Sequence, residues 1–169
     1  ETMDPDLMRI VEEFFALRDV SGSYPVAYVN SGYDRMEKGE IDSAIVKFEN
    51  ALASSPTEET AMQALVYGLS VKGDAERTRA EAERMLTAHP TSGAVITTAT
   101  AAKWHADVPL EECVRNLEAS RAAVRAEDRY LVDQALGNYY WALGDPVRSA
   151  AAYDSVLAYQ SDNPEALWG

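Results

Sequence analysis

A period of about thirty-four residues runs through this chain, and no other feature of the sequence limits its fold as strongly. Gly39-Glu40 recurs as Gly73-Asp74, and Pro56 recurs as Pro90 at the same interval. A third copy is weaker, and in a fourth copy Gly144-Asp145 occupies the corresponding place. A repeat of this length with two helices is typical of an all-α array, in which neighbouring units bury their apolar faces against one another.

Each copy is predicted to form two amphipathic helices joined by a short turn. In the first copy the second helix collects apolar residues on one face at helical spacing, namely Ile41, Ala44, Ile45, Phe48, Ala51 and Leu52. The glycine and the acidic residue after it would end one helix and begin the next. In the fourth copy Asp145 would cap a helix that begins with Pro146. Residues 107–109 are expected to form the same turn in the third copy without a glycine.

Small residues recur twelve positions apart on the two sides of these turns. Antiparallel helices approach to about 8–10 Å, and the lower end of that range requires small side chains at the crossing. We therefore expect three facing pairs, which are Gly32–Ala44, Ala101–Cys113 and Gly137–Ser149.

These spaced residues resemble the tetratricopeptide repeat family. The first copy matches the family pattern at Tyr28, Gly32, Ala44, Phe48, Ala51 and Pro56. The second copy matches in part, at Leu65, Leu69, Gly73 and Pro90, and the fourth matches at Leu136, Gly137, Tyr140, Tyr153 and Leu157. Ser31 and Arg35 stand where leucine and tyrosine are usual. The third copy needs one extra residue near Gly93 and two near Glu127.

The resemblance implies an all-α, right-handed α-solenoid of helix-turn-helix repeats with about nine helices. Four repeats would span residues 25–57, 58–91, 92–127 and 128–160. Residues 1–24 are predicted to form a capping helix and a hinge, because the end of a solenoid needs a polar cover. Residues 161–169 would form a C-terminal tail or the start of a further repeat.

The net charge of the chain limits the classes of partner that it can bind. Among 169 residues, fifteen basic side chains stand against twenty-eight acidic ones, which leaves a net charge of −13. Such a surface repels phosphate backbones, so we expect no nucleic-acid partner. No apolar run reaches the roughly 18 residues of a membrane span, so we expect no membrane insertion. The compartment stays open: cytoplasmic, or periplasmic or extracellular if an export signal has been removed.

The sequence shows no arrangement of residues that indicates catalysis. It has no glycine-rich phosphate loop, no zinc-protease His-Glu pair and no nucleophile elbow. His89 and His105 lie in different repeats, and His89 is expected at the end of a helix. The single cysteine, Cys113, is predicted to be an inert core thiol. We therefore expect a protein that is not an enzyme and that has no cofactor and no metal site.

The first helices of such repeats line the concave side of the stack, and helical spacing selects the side chains that point into this groove. They are Val29, Tyr33 and Met36, Gln63, Tyr67 and Ser70, Thr98, Ala102 and His105, and Gln134, Asn138 and Trp141. Trp104, one residue before His105, is assigned to the core. Aromatic and methionine side chains in this series favour a surface that binds a peptide or a helix. They could instead fill the inside of a tight superhelix or pack on the N-terminal helix.

We interpret the chain as a protein–protein interaction module, a scaffold that binds a peptide or helix of a partner protein in its concave groove. The groove positions hold no Lys or Arg, so binding of a partner's C-terminal carboxylate, as in some relatives of the family, is not expected. Self-association through the terminal repeats is left open. The alternative is an ancillary repeat domain of a larger exported protein, a hydrolase or an envelope assembly factor, with its chemistry elsewhere.

Overall fold

A computed structural model describes residues 24–162 of the chain. These residues form eight α-helices and one short 3-10 helix, and no strand occurs among them. The α-helices are α1 (Tyr24–Glu37), α2 (Ile41–Ser54), α3 (Glu59–Lys72), α4 (Ala75–Ala88), α5 (Gly93–His105), α6 (Leu110–Ser120), α7 (Arg129–Ala142) and α8 (Pro146–Asp162), and the 3-10 helix (Ala126–Asp128) precedes α7. The prediction of an all-α helical repeat is confirmed. The predicted N-terminal helix and the last residues of the chain lie outside the described part.

The described residues divide into two compact units, residues 24–68 and residues 69–162, and the boundary falls within α3. In the first unit α1 packs against α2. In the second unit α5 packs against α4, α6 and α7, and α7 packs in turn against α6 and α8.

Helices α1, α3 and α7 end in the same geometry. Gly39, Gly73 and Gly144 have φ angles of 75°, 79° and 74°, in the left-handed region that glycine adopts without a Cβ penalty. In the last of these turns the N–H of Asp145 donates to the carbonyl of Tyr140 at 2.9 Å. This bond from the residue after the glycine is the mark of a Schellman ending. The predicted role of the glycine and acidic residue pairs is confirmed.

Helix α5 ends in this geometry without a glycine. Asp107 has a φ angle of 66°, and the N–H of Val108 donates to the carbonyl of Lys103 at 3.0 Å. Pro109 follows, so α6 begins three residues after the left-handed residue, where the glycine turns need two. The turn therefore replaces the glycine pair as expected. The turn also contains the extra residue of the third copy, which the repeat pattern places near Gly93 instead.

The acidic residue after the glycine caps the next helix in the second unit. Asp145 Oδ1 accepts a hydrogen bond from the N–H of Arg148 at 3.0 Å, and α8 begins at Pro146. Asp74 accepts in the same way from the N–H of Arg77 at 3.2 Å. The predicted cap and first helical residue of the last helix are confirmed.

The core of the first unit is built around Phe48, whose side chain is fully buried. A Cβ atom built on Gly32 would overlap the Phe48 ring, and the three atoms nearest to it all belong to that ring and none to Ala44. A Cβ atom on Gly68 would lie 3.2 Å from the same ring. Gly32 therefore makes room for the aromatic residue of α2, one turn beyond the alanine that the sequence pairs with it.

The pair Gly137 and Ser149 is found as predicted. The Ser149 hydroxyl donates to the carbonyl of Gly137 at 2.9 Å, which joins α8 to α7 at their crossing. A Cβ atom on Gly137 would also lie 2.9 Å from the ring of Tyr153. The small residue of α7 thus accommodates both a hydroxyl group and an aromatic ring of α8.

The longer turn after α5 shifts the register of this helix by one residue. The Cys113 thiol lies 3.9 Å from the carbonyl oxygen of Thr100, so Thr100 takes the facing position that the sequence assigns to Ala101. In the same register Ala102 is buried, whereas Trp104 is 40% exposed. The prediction that Trp104 lies in the core is therefore wrong.

Candidate functional site

The exposed side of α1 and α3 in the first unit carries two tyrosines. Tyr33 is 39% exposed and Tyr67 is 51% exposed. The Tyr33 ring packs edge-on against Phe48, with 5.4 Å between the ring centroids. Burial raises the pKa of Tyr33, and the neighbouring Tyr67 raises it further, so the two phenols are close enough to interact. We refer to this surface as the tyrosine face; it consists of Val26, Asn30, Tyr33, Glu37, Thr60 and Tyr67.

The tyrosine face differs from the predicted groove at two positions of α1. Val29 is only 3% exposed, and Met36 is half-buried. Both lie on the side of α1 that Gly32 turns towards α2, since residues three or four apart share a helix face. Glu37 is exposed in place of Met36, one helical turn after Tyr33.

A second exposed surface belongs to α5 and α7 in the second unit. Trp104 near the end of α5 is 40% exposed, and Trp141 near the end of α7 is 70% exposed. Each stands three residues before the left-handed residue of its turn, so the two indoles occupy equivalent positions on packed helices. The Trp104 ring meets the buried Tyr139 ring edge-on at 5.7 Å. We refer to this surface as the tryptophan face; it consists of Thr97, Ala101, Trp104, Gln134, Asn138 and Trp141.

The remaining predicted groove residues are distributed as follows. Gln134 and Asn138 are exposed two turns and one turn before the end of α7, and Asn138 Oδ1 accepts a hydrogen bond from the Tyr153 hydroxyl. Gln63, Ser70 and Thr98 are half-buried. His105 is exposed, and its ring lies 5.2 Å from that of Trp104.

The shift in α5 explains why sequence reasoning missed Trp104. If positions are counted from the start of the repeat, Thr98 and His105 fall on the groove side. If they are counted back from the left-handed residue Asp107, Thr97 and Trp104 fall there instead. Gln134 and Trp141 stand at the same distances before Gly144. The residue in the left-handed turn is thus the better reference point for the register.

Charged groups gather in a different part of the second unit, in a cavity of about 290 Å³ between α6, α7 and α8. Arg121 Nη2 donates to the buried carboxylate of Asp133 at 2.8 Å. The Tyr140 hydroxyl donates to Glu118, and the Arg148 guanidinium lies 4.5 Å above the Tyr140 ring. Burial, and then the bond to Glu118, raise the pKa of Tyr140 to about 12. These side chains satisfy one another, and the cluster joins three helices.

The histidine and the cysteine that were considered for a chemical role, His89 and Cys113, occupy positions that serve the fold. His89 caps the C-terminal end of α4, where its N–H donates to the carbonyl of Met85 at 3.0 Å. Cys113 is buried, and burial raises the pKa of its thiol, which disfavours the reactive thiolate. Within residues 24–162 no group of three or more His, Cys, Asp or Glu side chains could hold a metal ion. In the same part of the chain, no helix is long and apolar enough to cross a membrane.

Solved structures with this fold include tetratricopeptide repeat proteins. PilF of Pseudomonas aeruginosa has a TM-score of 0.65 and 17% sequence identity, over 85% of this chain and 64% of its own. TTC0263, described as a thermophilic TPR protein of Thermus thermophilus, has a TM-score of 0.63 and 18% identity, over 83% of this chain and 76% of its own. MamA of Desulfovibrio magneticus RS-1 has a TM-score of 0.59 and 15% identity, over 82% and 77%.

These similarities define the chain as a helical-repeat protein with the tetratricopeptide repeat fold, which confirms the resemblance found in its spaced residues. The identities are low, and what the chain shares with these proteins is the fold. It spans less than two thirds of the length of the PilF chain. No protein-family model matches the sequence, and no curated protein is significantly similar to it.

Proposed function

We propose that this chain is a protein–protein interaction module, a scaffold without catalytic activity that binds a peptide or a helix of a partner protein on its first helices. The observation that carries the proposal is the exposure of Trp104 and Trp141 at equivalent positions of α5 and α7. Solvent-exposed tryptophans that share one surface are characteristic of binding sites, because indoles supply much of the energy of protein interfaces.

The polar residues of the tryptophan face suit a peptide ligand. Gln134 and Asn138 precede Trp141 at helical spacing and are exposed. Their amide groups both donate and accept hydrogen bonds, so they can pair with the backbone of an extended segment or with its polar side chains. Aromatic anchors beside adaptable amides form a usual composition for a peptide-binding groove.

The proposal includes no cofactor, no metal and no nucleic-acid partner. The net charge of −13 opposes phosphate binding. A second copy of the chain is an alternative partner, and size-exclusion chromatography across a range of concentrations would reveal such self-association.

The proposal is tested with the full chain as bait in a pull-down read by mass spectrometry, followed by calorimetry with peptides of the captured protein. Trp141→Ala and Trp104→Ala should each weaken binding by roughly 1–3 kcal/mol. Their far-ultraviolet circular dichroism should stay helical, because both side chains are exposed.

The matched controls are Val46→Ala on α2 and Val147→Ala on α8, two exposed apolar residues outside both faces. They should leave the affinity unchanged. Wild-type affinity in both tryptophan variants, with a loss in either valine variant, would mean that the partner binds the second helices and would refute the proposal.

A further inference from the structure

The tyrosine face combines aromatic rings with negative charge. Glu37 lies one helical turn beyond Tyr33, and Asp34 is exposed next to it. On α3, Gln63 lies one turn before Tyr67, and its side chain donates a hydrogen bond to Glu59, a further turn away, at 3.4 Å. Two exposed carboxylates thus accompany Tyr33 on α1, and a third lies two turns before Tyr67 on α3.

The basic residues of this part of the chain lie elsewhere. Residues 24–68 contain three of them, Arg35, Lys38 and Lys47. Arg35 points away from Tyr33, since residues two apart lie on nearly opposite sides of a helix, and it binds Glu40 at 2.6 Å. The pKa of Glu40 is lowered by its bond to Arg35 and by the charge of Lys38, which places Lys38 at the same turn.

Lys47 belongs to α2, where its amine lies 5.6 Å from the centroid of the Tyr28 ring. No Lys or Arg of residues 24–68 therefore stands on the tyrosine face. The contact between Lys47 and Tyr28 is a cation–π interaction, in which the quadrupole of a tyrosine ring attracts a cation above it.

Phe48 connects the two helices that carry the tyrosines. Its ring packs against Tyr33 of α1 and lies against Gly68 of α3, the neighbour of Tyr67 in the chain. Helices α1 and α3 are therefore both fixed against one buried side chain. A ligand finds the two helices in place before it binds, which lowers the entropic cost of association.

We infer that the tyrosine face binds a Lys or Arg side chain of the partner segment, with the cation held against the rings of Tyr33 and Tyr67 and beside the carboxylate of Glu37. This inference rests on the proposed function and names the ligand chemistry of one of its surfaces. An acidic segment would be repelled here, because the face offers carboxylates and no cation. A purely apolar segment would leave the carboxylate of Glu37 without a partner.

The probe is a phage-displayed library of random dodecapeptides, selected on the full chain and counter-selected on the Tyr33→Ala/Tyr67→Ala double variant. Peptides held only by the wild-type chain should carry a Lys or Arg at a constant position. In a synthetic copy of a peptide with lysine at that position, replacement of the lysine by norleucine keeps most of the side chain and removes its charge. The replacement should weaken binding by roughly 2- to 30-fold.

Glu37→Gln tests the carboxylate without altering either tyrosine, and the exposed position of Glu37 leaves the fold intact. It should weaken the lysine peptide by a similar factor and leave the norleucine peptide within about twofold. Glu76→Gln, an exposed residue of α4, is the matched control and should change neither affinity.

The outcomes separate the inference from the proposed function. Peptides that need Tyr33 and Tyr67 but carry no basic residue would overturn the inference and leave peptide binding in place. Equal loss in both peptides on Glu37→Gln would also overturn it. A library from which the wild-type chain retains nothing, or nothing that the double variant does not retain equally, would contradict both for this surface.

Discussion

Substitution of Gly32 by alanine tests the central packing contact of the first unit. The built Cβ atom overlaps the Phe48 ring, and Phe48 is fully buried, so the ring has no path towards solvent. An added methyl group in a filled core costs about 1–3 kcal/mol, and an overlap with a confined ring belongs at the upper end.

Helix propensity acts in the opposite direction. Replacing glycine by alanine inside a helix stabilises it by about 1 kcal/mol. The net loss in the free energy of unfolding for Gly32→Ala should therefore be about 2 kcal/mol. Gly68→Ala is the matched control, since its Cβ would lie 3.2 Å from both Ile45 and Phe48. There a shift of a few tenths of an ångström relieves the contact, and the net change should stay within about 1 kcal/mol.

The assay is equilibrium unfolding in urea, followed by far-ultraviolet circular dichroism, for four proteins: wild type, Gly32→Ala, Phe48→Leu and the double variant. Phe48→Leu alone should cost about 1–2 kcal/mol through lost burial. Because the smaller side chain frees the space that the new methyl group needs, the double variant should be more stable than the sum of the two single losses predicts. The difference should be about 1–2 kcal/mol.

Additive losses would refute this reasoning. If the two substitutions do not couple, the ring of Phe48 is not what requires a glycine at position 32. A stabilised Gly32→Ala variant would be equally decisive, because helix propensity would then outweigh a contact that we describe as filled.

Four further predictions concern the second unit. Gly144→Ala should destabilise by about 1–2 kcal/mol in urea melts through backbone strain alone, because its φ angle is 74° and no atom would contact the new Cβ. Arg121→Met should cost about 2–4 kcal/mol by leaving the buried Asp133 carboxylate unpaired, and Asp133→Asn on the same background should recover part of the loss. Trp104→Ala should cost about 1–2 kcal/mol in thermal melts, less than the roughly 3–5 kcal/mol of a buried aromatic residue, because Trp104 is 40% exposed. The pKa of Tyr140, raised from 10.0 to about 12, gives stability that is complete below the unfolded-state pKa and falls as the pH rises to about 12; Tyr140→Phe should flatten that fall in urea midpoints.

Local features of the fold were predictable because their chemistry is contained in a few neighbouring residues. Gly144 followed by Asp145 and Pro146 specifies a left-handed residue, a cap and a first helical residue in sequence, and each is found in place. The crossing of Gly137 and Ser149 follows from a fixed count across that turn.

The register of α5 was harder to predict because its cause lies beyond the helix. The extra residue of the third copy could stand at either end of α5, and helical spacing is the same in both cases. The structure puts it between Asp107 and α6, which places Trp104 and not His105 at the position equivalent to Trp141. Val29 was assigned to the groove but is buried, for a different reason. Along α1, an apolar residue that lines the surface and one that packs in the core can have the same spacing.

The positions of the tryptophans give the protein an optical signal of its own. Three tryptophans occur in the sequence, and two of them, Trp104 and Trp141, belong to the tryptophan face. In a Trp168→Phe variant, fluorescence excited selectively at the indoles would come from that face alone. A ligand that covers it would move the indoles from water into a less polar environment and shift their emission to shorter wavelength. A ligand confined to the tyrosine face would leave the spectrum unchanged, so one unlabelled titration could tell the two surfaces apart.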